Sequence, residues 1–279
     1  MALTQVPQSV IEENVFNALK EDIGDGDITA ELIPQDNISL ATVISREPCV
    51  FCGLDWFEET YRQLDDEILI DWCVDDGDRL EAGQIICTLS GSSQKIVTGE
   101  RTALNFVQTL SATATVSALY ASKVEGCEAK VLDTRKTLPG LRMAQKYAVS
   151  CGGCENHRMG LYDAFLIKEN HISACGSIAS AVTEARFRNP ELSVEVEVEN
   201  MDELQQALDA GVDRVLLDNF DLDTMKQAVE LCAGKTITEA SGNITLENIR
   251  QVAQTGVNYI STGSLTKNIQ AIDLSMRFD

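Results

Sequence analysis

The spacing of hydrophobic residues at the start of the chain predicts first a helix and then short strands. Ser9 followed by Glu12 has the spacing of a capping box. The next apolar residues fall on one helical face: Ile11, Val15, Ala18 and Leu19. Runs rich in Val, Ile, Leu and Cys then indicate strands within 38–52, 67–74 and 83–90. The chain up to about residue 95 is therefore predicted to be a small α+β domain.

A long helix and a regular alternation of strands and helices follow. Small and apolar side chains recur at helical spacing from Thr98 to Val124, which predicts one helix that packs closely on other elements. Six strand-like runs then alternate with helix-like runs: AKVLDT, AFLIK, SVEVEVE, RVLLD, TITEA and NYIST. This alternation is typical of a parallel β/α barrel. The last run, 272–278, is predicted to return to the first domain as a strand or tail.

Each of the six strand-like runs ends in polar or glycine-containing residues. They are Asp133-Thr134-Arg135-Lys136, Lys168-Glu169-Asn170-His171, Glu197 with Glu199, Asp218-Asn219, Glu239-Ala240-Ser241-Gly242-Asn243, and Thr262-Gly263-Ser264. In β/α barrels the carboxyl ends of the strands meet at one mouth, where functional groups collect. The pattern therefore indicates an enzyme before any family is considered.

Composition and charge narrow the possible partners. A formal net charge of -22 opposes nucleic-acid binding, which requires a basic face. It also means that a site for an anionic substrate must gather its cations locally. No apolar run approaches the roughly 20 residues that span a bilayer, and the first residues lack the pattern of a signal peptide. Nine scattered cysteines are typical of a reducing compartment, so we expect the cytoplasm.

The basic residues best suited to an anionic substrate lie in three places. They are Arg101, the pair Arg135 and Lys136, and a cluster of His157, Arg158, Lys168 and His171. Guanidinium groups bind carboxylate or phosphate through two hydrogen bonds, and lysine supplies a mobile charge. The alternative is that Arg135 and Lys136 only pair with acids on the surface, since acidic residues outnumber basic ones by 44 to 22 in the whole chain.

Acidic residues at the strand ends suit the binding of a cation or of hydroxyl groups rather than of an anion. Glu197 and Asp218 end neighbouring predicted strands, where they could hold a divalent cation or ribose hydroxyls. Glu195, Glu197 and Glu199 alternate and therefore share one strand face. If that face points inward, metal or cations must offset the repulsion between the carboxylates. The alternative is an edge strand whose acids face solvent.

Glycine-containing turns follow the last two predicted strands. Ser241-Gly242-Asn243 and Thr262-Gly263-Ser264 each precede a helix-like run. Glycine lets backbone amides approach a phosphate closely, and the N-terminus of a following helix favours negative charge. Either turn alone is ordinary, but the pair indicates a phosphate site.

Two cysteine pairs allow a further interpretation. Cys49-x-x-Cys52 and Cys151-x-x-Cys154 could supply thiolates to zinc or form a redox motif. The second pair lies in a strand-like apolar stretch, however, and nothing else resembles a zinc module. Buried thiols are the favoured interpretation.

Several long stretches resemble the quinolinate phosphoribosyltransferase family. The most specific block, within 133–172, contains DTRKTLPGLR and KYAVSCGGCENHRMGLYDAFLIKENHI. Further stretches keep the family's order: GERTALNFVQTLSATAT, EVEVEN, LLDNF, EASGNI and ISTGSLT. The resemblance implies an α/β protein with an N-terminal α/β sandwich domain over 1–110, to which the tail 271–279 returns, and an incomplete, seven-stranded α/β barrel over 111–270. It also implies a homodimer or larger oligomer in which the partner's N-terminal domain covers each barrel mouth.

The resemblance also implies roles for individual residues. The pocket for quinolinate and the phosphoribosyl donor corresponds to Thr134, Arg135, Lys136, His157, Arg158 and Lys168. The 5′-phosphate site corresponds to Ser241, Gly242, Gly263, Ser264 and Lys267. Glu197 and Asp218 correspond to acids near the ribose and Mg²⁺, and Arg101 to an arginine that reaches the partner's site. Two positions depart from the family pattern: Cys154 replaces a usual Gly, and Lys267 replaces a common His, although lysine can still hold a phosphate.

The implied reaction joins quinolinate to phosphoribosyl pyrophosphate and yields nicotinate mononucleotide, pyrophosphate and CO₂, a step of de novo NAD synthesis. Its implied catalytic residues are Lys136, Lys168, Glu197 and Asp218. Three alternatives remain open. They are a paralogous phosphoribosyltransferase for another pyridine or aromatic acid, a Schiff-base lyase that uses Lys136 or Lys168, and a non-catalytic nucleotide-binding protein.

Overall fold

The computed structural model describes residues 3–279, which form two compact units. The unit that we call the sandwich unit contains described residues up to Ala118, together with 137–153 and 265–279. The other, the barrel unit, contains 119–136 and 154–264. This division differs from the expected boundaries of 1–110 and 111–270, because the chain enters the barrel unit, leaves it and enters it again.

The helices and strands are numbered in chain order. The first half contains α1 (Gln8–Ile23), a 3₁₀ turn (Ala30–Leu32), β1 (Ile38–Ser45), β2 (Cys49–Val50), α2 (Leu54–Leu64), β3 (Leu69–Trp72), β4 (Arg79–Leu80), β5 (Ile85–Ser92) and α3 (Ser93–Lys123). The second half contains β6 (Lys130–Leu132), α4 (Arg142–Cys151), β7 (Phe165–Ile167), α5 (Glu169–Cys175), α6 (Ile178–Arg188), β8 (Val194–Val198), α7 (Met201–Asp209), β9 (Arg214–Asp218), α8 (Leu222–Cys232), β10 (Ile237–Ser241), α9 (Ile249–Ala253), β11 (Tyr259–Ser261), α10 (Ser264–Lys267) and β12 (Leu274–Phe278).

The predicted first helix and long helix are both present, but their starts differ from expectation. The capping box expected at Ser9 and Glu12 is wrong, because α1 begins at Gln8 and its N-cap residue is Pro7, without a side-chain cap. Proline fixes φ and favours the extended backbone that precedes the first helical turn. Ser9 therefore lies inside the helix. The long helix α3 likewise begins at Ser93 rather than Thr98.

The sandwich unit is built on a four-stranded antiparallel sheet in the order β12-β1-β5-β3. In β1 the side chains alternate between exposed or half-buried and buried, and Val43 pairs with Met276 of β12. This pairing confirms that the last run of the chain returns to the first domain as a strand. Val43 and Leu89 of the sheet join Phe57 of α2 and Leu104 of α3 in one buried cluster. The α/β sandwich expected for the N-terminal domain is confirmed.

A second buried cluster explains why 137–153 belongs to the sandwich unit. It joins Val15 of α1, Trp56 of α2 and Leu110 of α3 to Ala144 and Ala148 of α4. The helix α4 therefore buries its apolar face in this unit, although it follows the first barrel strand in sequence. Backbones also approach closely here: a Cβ atom on Gly152 would lie 2.3 Å from the carbonyl oxygen of Ala114, so only glycine fits.

The barrel unit contains a six-stranded parallel sheet in the order β6-β11-β10-β9-β8-β7, which confirms all six predicted strands. A further parallel bridge joins Leu132 of β6 to Glu155 and adds a seventh extended segment. Within residues 3–279 no pairing joins this segment to β7, so the barrel is incomplete, as expected. The strand β8 pairs on both sides, and the edge-strand alternative is therefore wrong.

Buried apolar residues fill these short strands, as is usual for parallel strands covered on both faces. In β8, for example, Val194, Val196 and Val198 are fully buried. No helix of the described chain is long and apolar enough to cross a membrane. The strand ends that follow these buried runs set the position of the site.

Candidate active site

A cavity of about 260 Å³ lies at the carboxyl ends of the barrel strands. Every strand of the parallel sheet contributes to it, as does the segment after Glu155. Its lining consists of Thr134, Arg135, Lys136, His157, Arg158, Leu166, Lys168, Glu197, Leu216, Glu239, Ser241 and Ser261. Four of the six predicted polar strand ends therefore contribute to one cavity, whereas Asp218-Asn219 and Thr262-Gly263-Ser264 do not line it.

Two arginines, Arg135 and Arg158, lie together in this cavity, and the charges of Glu195 and Asp163 act on the second of them. The Nε atom of Arg135 is buried without a hydrogen-bond partner. Burial, together with the adjacent cation of Arg135, lowers the pKa of Arg158, whose Nη1 donates to the carbonyl of Ala164 at 3.0 Å. Within residues 3–279 neither guanidinium forms a salt bridge, so the alternative of a surface ion pair is wrong for Arg135. Two adjacent, partly buried cations define a place for an anion.

Lysines extend this positive surface. Lys136 is exposed and lies against Gly263, where a Cβ atom would be 2.9 Å from Lys136 Cδ. Lys168 directly follows β7 and donates to the carboxylate of Glu197, whose side chain is only 11% exposed. This contact engages the Lys168 amine with a carboxylate and does not favour a Schiff-base lyase, which needs a free amine.

Beneath the cavity lies a buried network of charges. Nε2 of His157 is 3.1 Å from Oε2 of Glu195 and 3.4 Å from Oε1 of Glu239. Arg214 Nη1 donates to the other oxygen of Glu239 at 3.0 Å, and its guanidinium lies over the ring of Tyr259. Because two cations face two carboxylates, the network can be neutral overall, which limits the cost of burying it.

His157 is the titrating centre of this network. Burial alone lowers its pKa, but the hydrogen bonds and charges of Glu195 and Glu239 outweigh burial and raise the pKa to about 9. The backbone N–H of Arg158 donates to His157 Nδ1 at 2.7 Å and opposes a second proton on the ring. The carboxylates prevail because two full charges outweigh one peptide dipole. His157 is therefore a cation at neutral pH.

Asp133 fixes the backbone that carries His157 and Arg158. It is fully buried at the end of β6, and its carboxylate accepts the Asn156 side-chain amide at 2.7 Å and the His157 backbone N–H at 2.9 Å. The sequence pattern placed Asp133 and Glu239 only among the polar strand ends, without a role, and gave no sign of Arg214. A charged residue inside a buried parallel strand, as at Glu239, is the signal that could have identified them.

The alternating glutamates have three different environments. Glu195 is buried against His157, Glu197 lines the cavity, and Glu199 lies beyond the end of β8, exposed. Cations offset the two inward carboxylates, as the alternation required: His157 for Glu195 and Lys168 for Glu197.

The remaining predicted residues of the barrel unit lie at strand ends beside the cavity lining. Asp218 ends β9 and accepts from the Asn219 side chain at 2.9 Å. Gly242 has φ of +94°, and a Cβ atom there would lie 2.2 Å from Asn219 Oδ1. Ser264 follows Gly263, and its N–H donates to the Thr262 hydroxyl at 3.2 Å.

Two predicted residues belong to the sandwich unit rather than the barrel unit. Arg101 lies on α3 with its side chain 62% exposed and its guanidinium 4.0 Å from Glu100. Lys267 ends α10 and is exposed. Neither residue lines the cavity.

A parallel α/β barrel whose strand ends gather arginines, lysines and a histidine around a small cavity is typical of an enzyme for small anionic substrates. Two family models match the chain: the N-terminal domain of quinolinate phosphoribosyl transferase over residues 27–111 and its C-terminal domain over 112–277. The chain therefore belongs to the quinolinate phosphoribosyltransferase family.

Named relatives and a solved structure agree with this assignment. A probable nicotinate-nucleotide pyrophosphorylase (carboxylating) of Bacillus subtilis is 41% identical over 92% of this chain and 89% of its own. The corresponding protein of Arabidopsis thaliana is 38% identical over 94% of this chain and 81% of its own. The structure of the nicotinate-nucleotide pyrophosphorylase from Francisella tularensis has a TM-score of 0.96 and 46% identity, covering 100% of this chain and 99% of that one.

Proposed function

We propose that this protein transfers the phosphoribosyl group of phosphoribosyl pyrophosphate to quinolinate and releases pyrophosphate and CO₂, forming nicotinate mononucleotide for NAD synthesis. The observation that carries the proposal is the cavity in which Arg135 and Arg158 lie together and form no salt bridge within the described part of the chain. Both substrates are polyanions, and guanidinium groups recognise carboxylates and phosphates through paired hydrogen bonds. Family membership supports the same reaction.

The two carboxylates of quinolinate match the distribution of cations. We assign the pyridine dicarboxylate to Arg135, Arg158, Lys136 and Lys168, with Thr134 as a neutral hydrogen-bond partner and His157 as the charge behind them. The 5′-phosphate is assigned to Ser241, Gly242, Gly263, Ser264 and Lys267. A compact anionic ring suits a cavity of about 260 Å³.

In the first chemical step the ring nitrogen of quinolinate attacks C1 of the phosphoribosyl group, and the C1–O bond to pyrophosphate breaks. The ribose carries positive charge at the transition state, and we assign its stabilisation to the carboxylates of Glu197 and Asp218. The nitrogen is then cationic and stabilises the carbanion that is left at C2 when the C2–carboxylate bond breaks to give CO₂, and this carbanion takes up a proton from solvent. The protein needs only to orient that carboxylate and exclude water from it, the role that we give to Lys136 and Lys168.

The proposed reaction uses Mg²⁺, which neutralises the leaving pyrophosphate when it is bound. Mg²⁺ prefers oxygen ligands and usually takes one or two carboxylates besides phosphate oxygens and water. Glu197 and Asp218 provide that donor set at the ends of the adjacent strands β8 and β9. Glu197 would exchange part of its contact with Lys168 for the ion.

We further propose a homodimer in which Arg101 of one subunit enters the partner's site. Arg101 is a largely exposed cation in the sandwich unit. Leu161 and Tyr162, shortly after Arg158, are 76% and 73% exposed, and Leu32 in the sandwich unit is 82% exposed. Exposed apolar side chains on both units are typical of protein interfaces.

The nine free thiols suit the reducing cytoplasm, which we propose as the location.

A comparison of quinolinate and nicotinate as substrates distinguishes this proposal from its nearest alternative, a paralogous phosphoribosyltransferase. With phosphoribosyl pyrophosphate and Mg²⁺, quinolinate should yield equal amounts of nicotinate mononucleotide and CO₂, detected by chromatography and by release of label from the 2-carboxylate. Nicotinate lacks that carboxylate, so it should leave part of the cationic cavity unpaired and react at least about 100-fold less efficiently. Comparable turnover of the two acids would instead favour a paralogous phosphoribosyltransferase.

A further inference from the structure

Two cysteines that are distant in sequence meet in the sandwich unit. Cys52 precedes α2 and is fully buried, whereas Cys151 ends α4 and is partly exposed. Their Sγ atoms and a carboxylate oxygen of Asp76 all lie within 4.8 Å of one another. Each cysteine belongs to a C-x-x-C pair in the sequence, but its neighbour in the fold comes from the other pair. The proposed transfer reaction uses neither thiol.

The other cysteines of the two pairs have separate environments. Cys49 lies 3.6 Å from the Ser45 hydroxyl. Cys154 belongs to the barrel unit, where burial raises the pKa of its thiol to about 12. The cluster therefore contains one reactive pair, Cys52 and Cys151, and not a four-thiolate site.

Both carboxylate oxygens of Asp76 already accept hydrogen bonds within the sandwich unit. One oxygen accepts the backbone N–H groups of Gly53 and Leu54, at 2.8 and 3.1 Å, and so caps the start of α2. The other oxygen accepts the Tyr147 hydroxyl at 2.9 Å. Two thiols remain, which are too few for the four ligands of a structural zinc site. The arrangement suits bond formation between the sulfurs better than metal binding.

The two thiols differ in reactivity. A hydrogen bond from Cys52 lowers the pKa of Cys151 and outweighs its partial burial, whereas burial raises the pKa of Cys52. The thiolate is the reactive form, so the partly exposed Cys151 reacts with an oxidant first. Cys52 is then positioned to resolve the product.

We propose that Cys52 and Cys151 form a reversible oxidation site that closes to a disulfide when the protein meets a peroxide. The Cys151 thiolate attacks one peroxide oxygen, the O–O bond breaks, and the released hydroxide takes a proton, leaving a sulfenic acid and water. The Cys52 sulfur then attacks the Cys151 sulfur and displaces the hydroxyl group, which leaves as water with the Cys52 proton. In sum, two thiols and one hydrogen peroxide give one disulfide and two water molecules.

Tryptic peptides allow a direct test. Cys52 lies in peptide 47–62 with Cys49, and Cys151 lies in peptide 147–158 with Cys154. After brief treatment with hydrogen peroxide and alkylation of the remaining thiols, mass spectrometry should detect these two peptides linked, and dithiothreitol should separate them. In the matched control Cys49→Ser/Cys154→Ser the linkage should persist. In Cys52→Ser and in Cys151→Ser it should disappear.

A second readout does not depend on variants. The disulfide closes a long loop, so the oxidised protein should melt at a temperature higher by roughly 5 °C or more, and the reductant should reverse this shift. Linkage through Cys49 or Cys154 in place of this pair would overturn the proposal, as would oxidation of Cys151 to a sulfinic acid without any linkage. Zinc that copurifies, shields both thiols from alkylation and is lost in Cys52→Ser would also overturn it and assign a metal site.

Discussion

At the scale of single residues, the cavity depends on cations with different supports. Arg135 has a buried Nε atom without a protein partner, Arg158 is anchored by the Ala164 carbonyl, and Lys168 donates to Glu197. Arg158 and Lys168 are therefore held by contacts with the protein, whereas Arg135 keeps an unpaired donor in the cavity. Removal of one should leave a substrate anion poorly paired rather than unfold the chain.

Arg135→Ala and Lys168→Ala should each lower kcat/KM for quinolinate by about 100-fold or more, in the range seen when a charge-stabilising donor is removed. Steady-state assays and melting curves of each variant would measure activity and folding separately. Arg188→Ala is a suitable control, because Arg188 pairs with Glu184 on the exposed face of α6. Near-normal kinetics in both cavity variants would mean that neither Arg135 nor Lys168 contributes to substrate binding or catalysis.

His157 should make stability depend on pH. Its pKa is about 9 in the folded protein and about 6.5 in the unfolded chain. Its contribution is therefore complete below about pH 6.5 and is lost as the pH rises through about 9. Urea unfolding of wild type and His157→Gln should show a stability difference that shrinks over this window.

The exposed His171 provides the control, since the chain has two histidines only. His171→Gln would assign the two imidazole signals in NMR spectra and so identify the signal of His157. A His157 signal that titrates near or below the usual value would contradict the proposed buried cation.

At the scale of elements, the strands of the barrel unit were predictable because buried parallel strands leave short, nearly continuous apolar runs in the sequence. The polar ends of these strands were predictable because each apolar run stops at polar or glycine-containing residues in the sequence. The position of α4 was not, because its helical pattern does not reveal that Ala144 and Ala148 pack with Trp56. The network of His157, Glu195 and Glu239 was also not predicted, since it joins residues inside two separate strands to the segment after Glu155 and only the fold brings them together.

The turn after β10 offers a test of the proposed phosphate site. A methyl group at Gly242 would collide with Asn219, and Asn219 itself accepts from the Asn243 side chain at 3.0 Å. Gly242→Ala should therefore displace the turn and raise KM for phosphoribosyl pyrophosphate about tenfold or more.

Gly126→Ala is the matched control for that substitution. Gly126 also has positive φ, at +80°, and lies in the barrel unit, but a Cβ atom there has no neighbour within 4 Å. It should carry the same backbone strain with an unchanged KM. Equal effects of the two substitutions on KM would show that strain, and not the phosphate turn, explains the result.

At the scale of the whole molecule, the net charge of -22 contrasts with a cavity lined by cations. Anionic substrates must approach against the long-range field, so each additional cation near the site has a large effect. A partner subunit that contributes Arg101 would supply one. This argument makes the proposed dimer part of the catalytic chemistry and not only a matter of assembly.

The shared site can be tested by mixing two inactive proteins. Arg101→Ala and Lys136→Ala should each be inactive as homodimers, because every site lacks one group. A mixed dimer contains one site with both groups and one with neither. If subunits assort at random in a two-fold symmetric dimer, half of the dimers are mixed and half of their sites function, so about a quarter of wild-type activity should return.

Purification of the mixed dimer raises the activity that this prediction expects. When the two variants carry different affinity tags and are purified through both, only the mixed dimer remains, and the expected activity rises to about half of wild type by the same symmetry count. Arg46→Ala mixed with Lys136→Ala is a useful comparison, since Arg46 is an exposed arginine of the sandwich unit paired with Asp273. In that mixture only the sites built on an Arg46→Ala subunit's barrel should function. The activity should therefore equal the fraction of Arg46→Ala subunits in the mixture and not exceed it. A doubly tagged Arg101→Ala and Lys136→Ala dimer that forms but stays inactive would mean that Arg101 serves its own subunit or only the fold, and the shared-site proposal would be wrong.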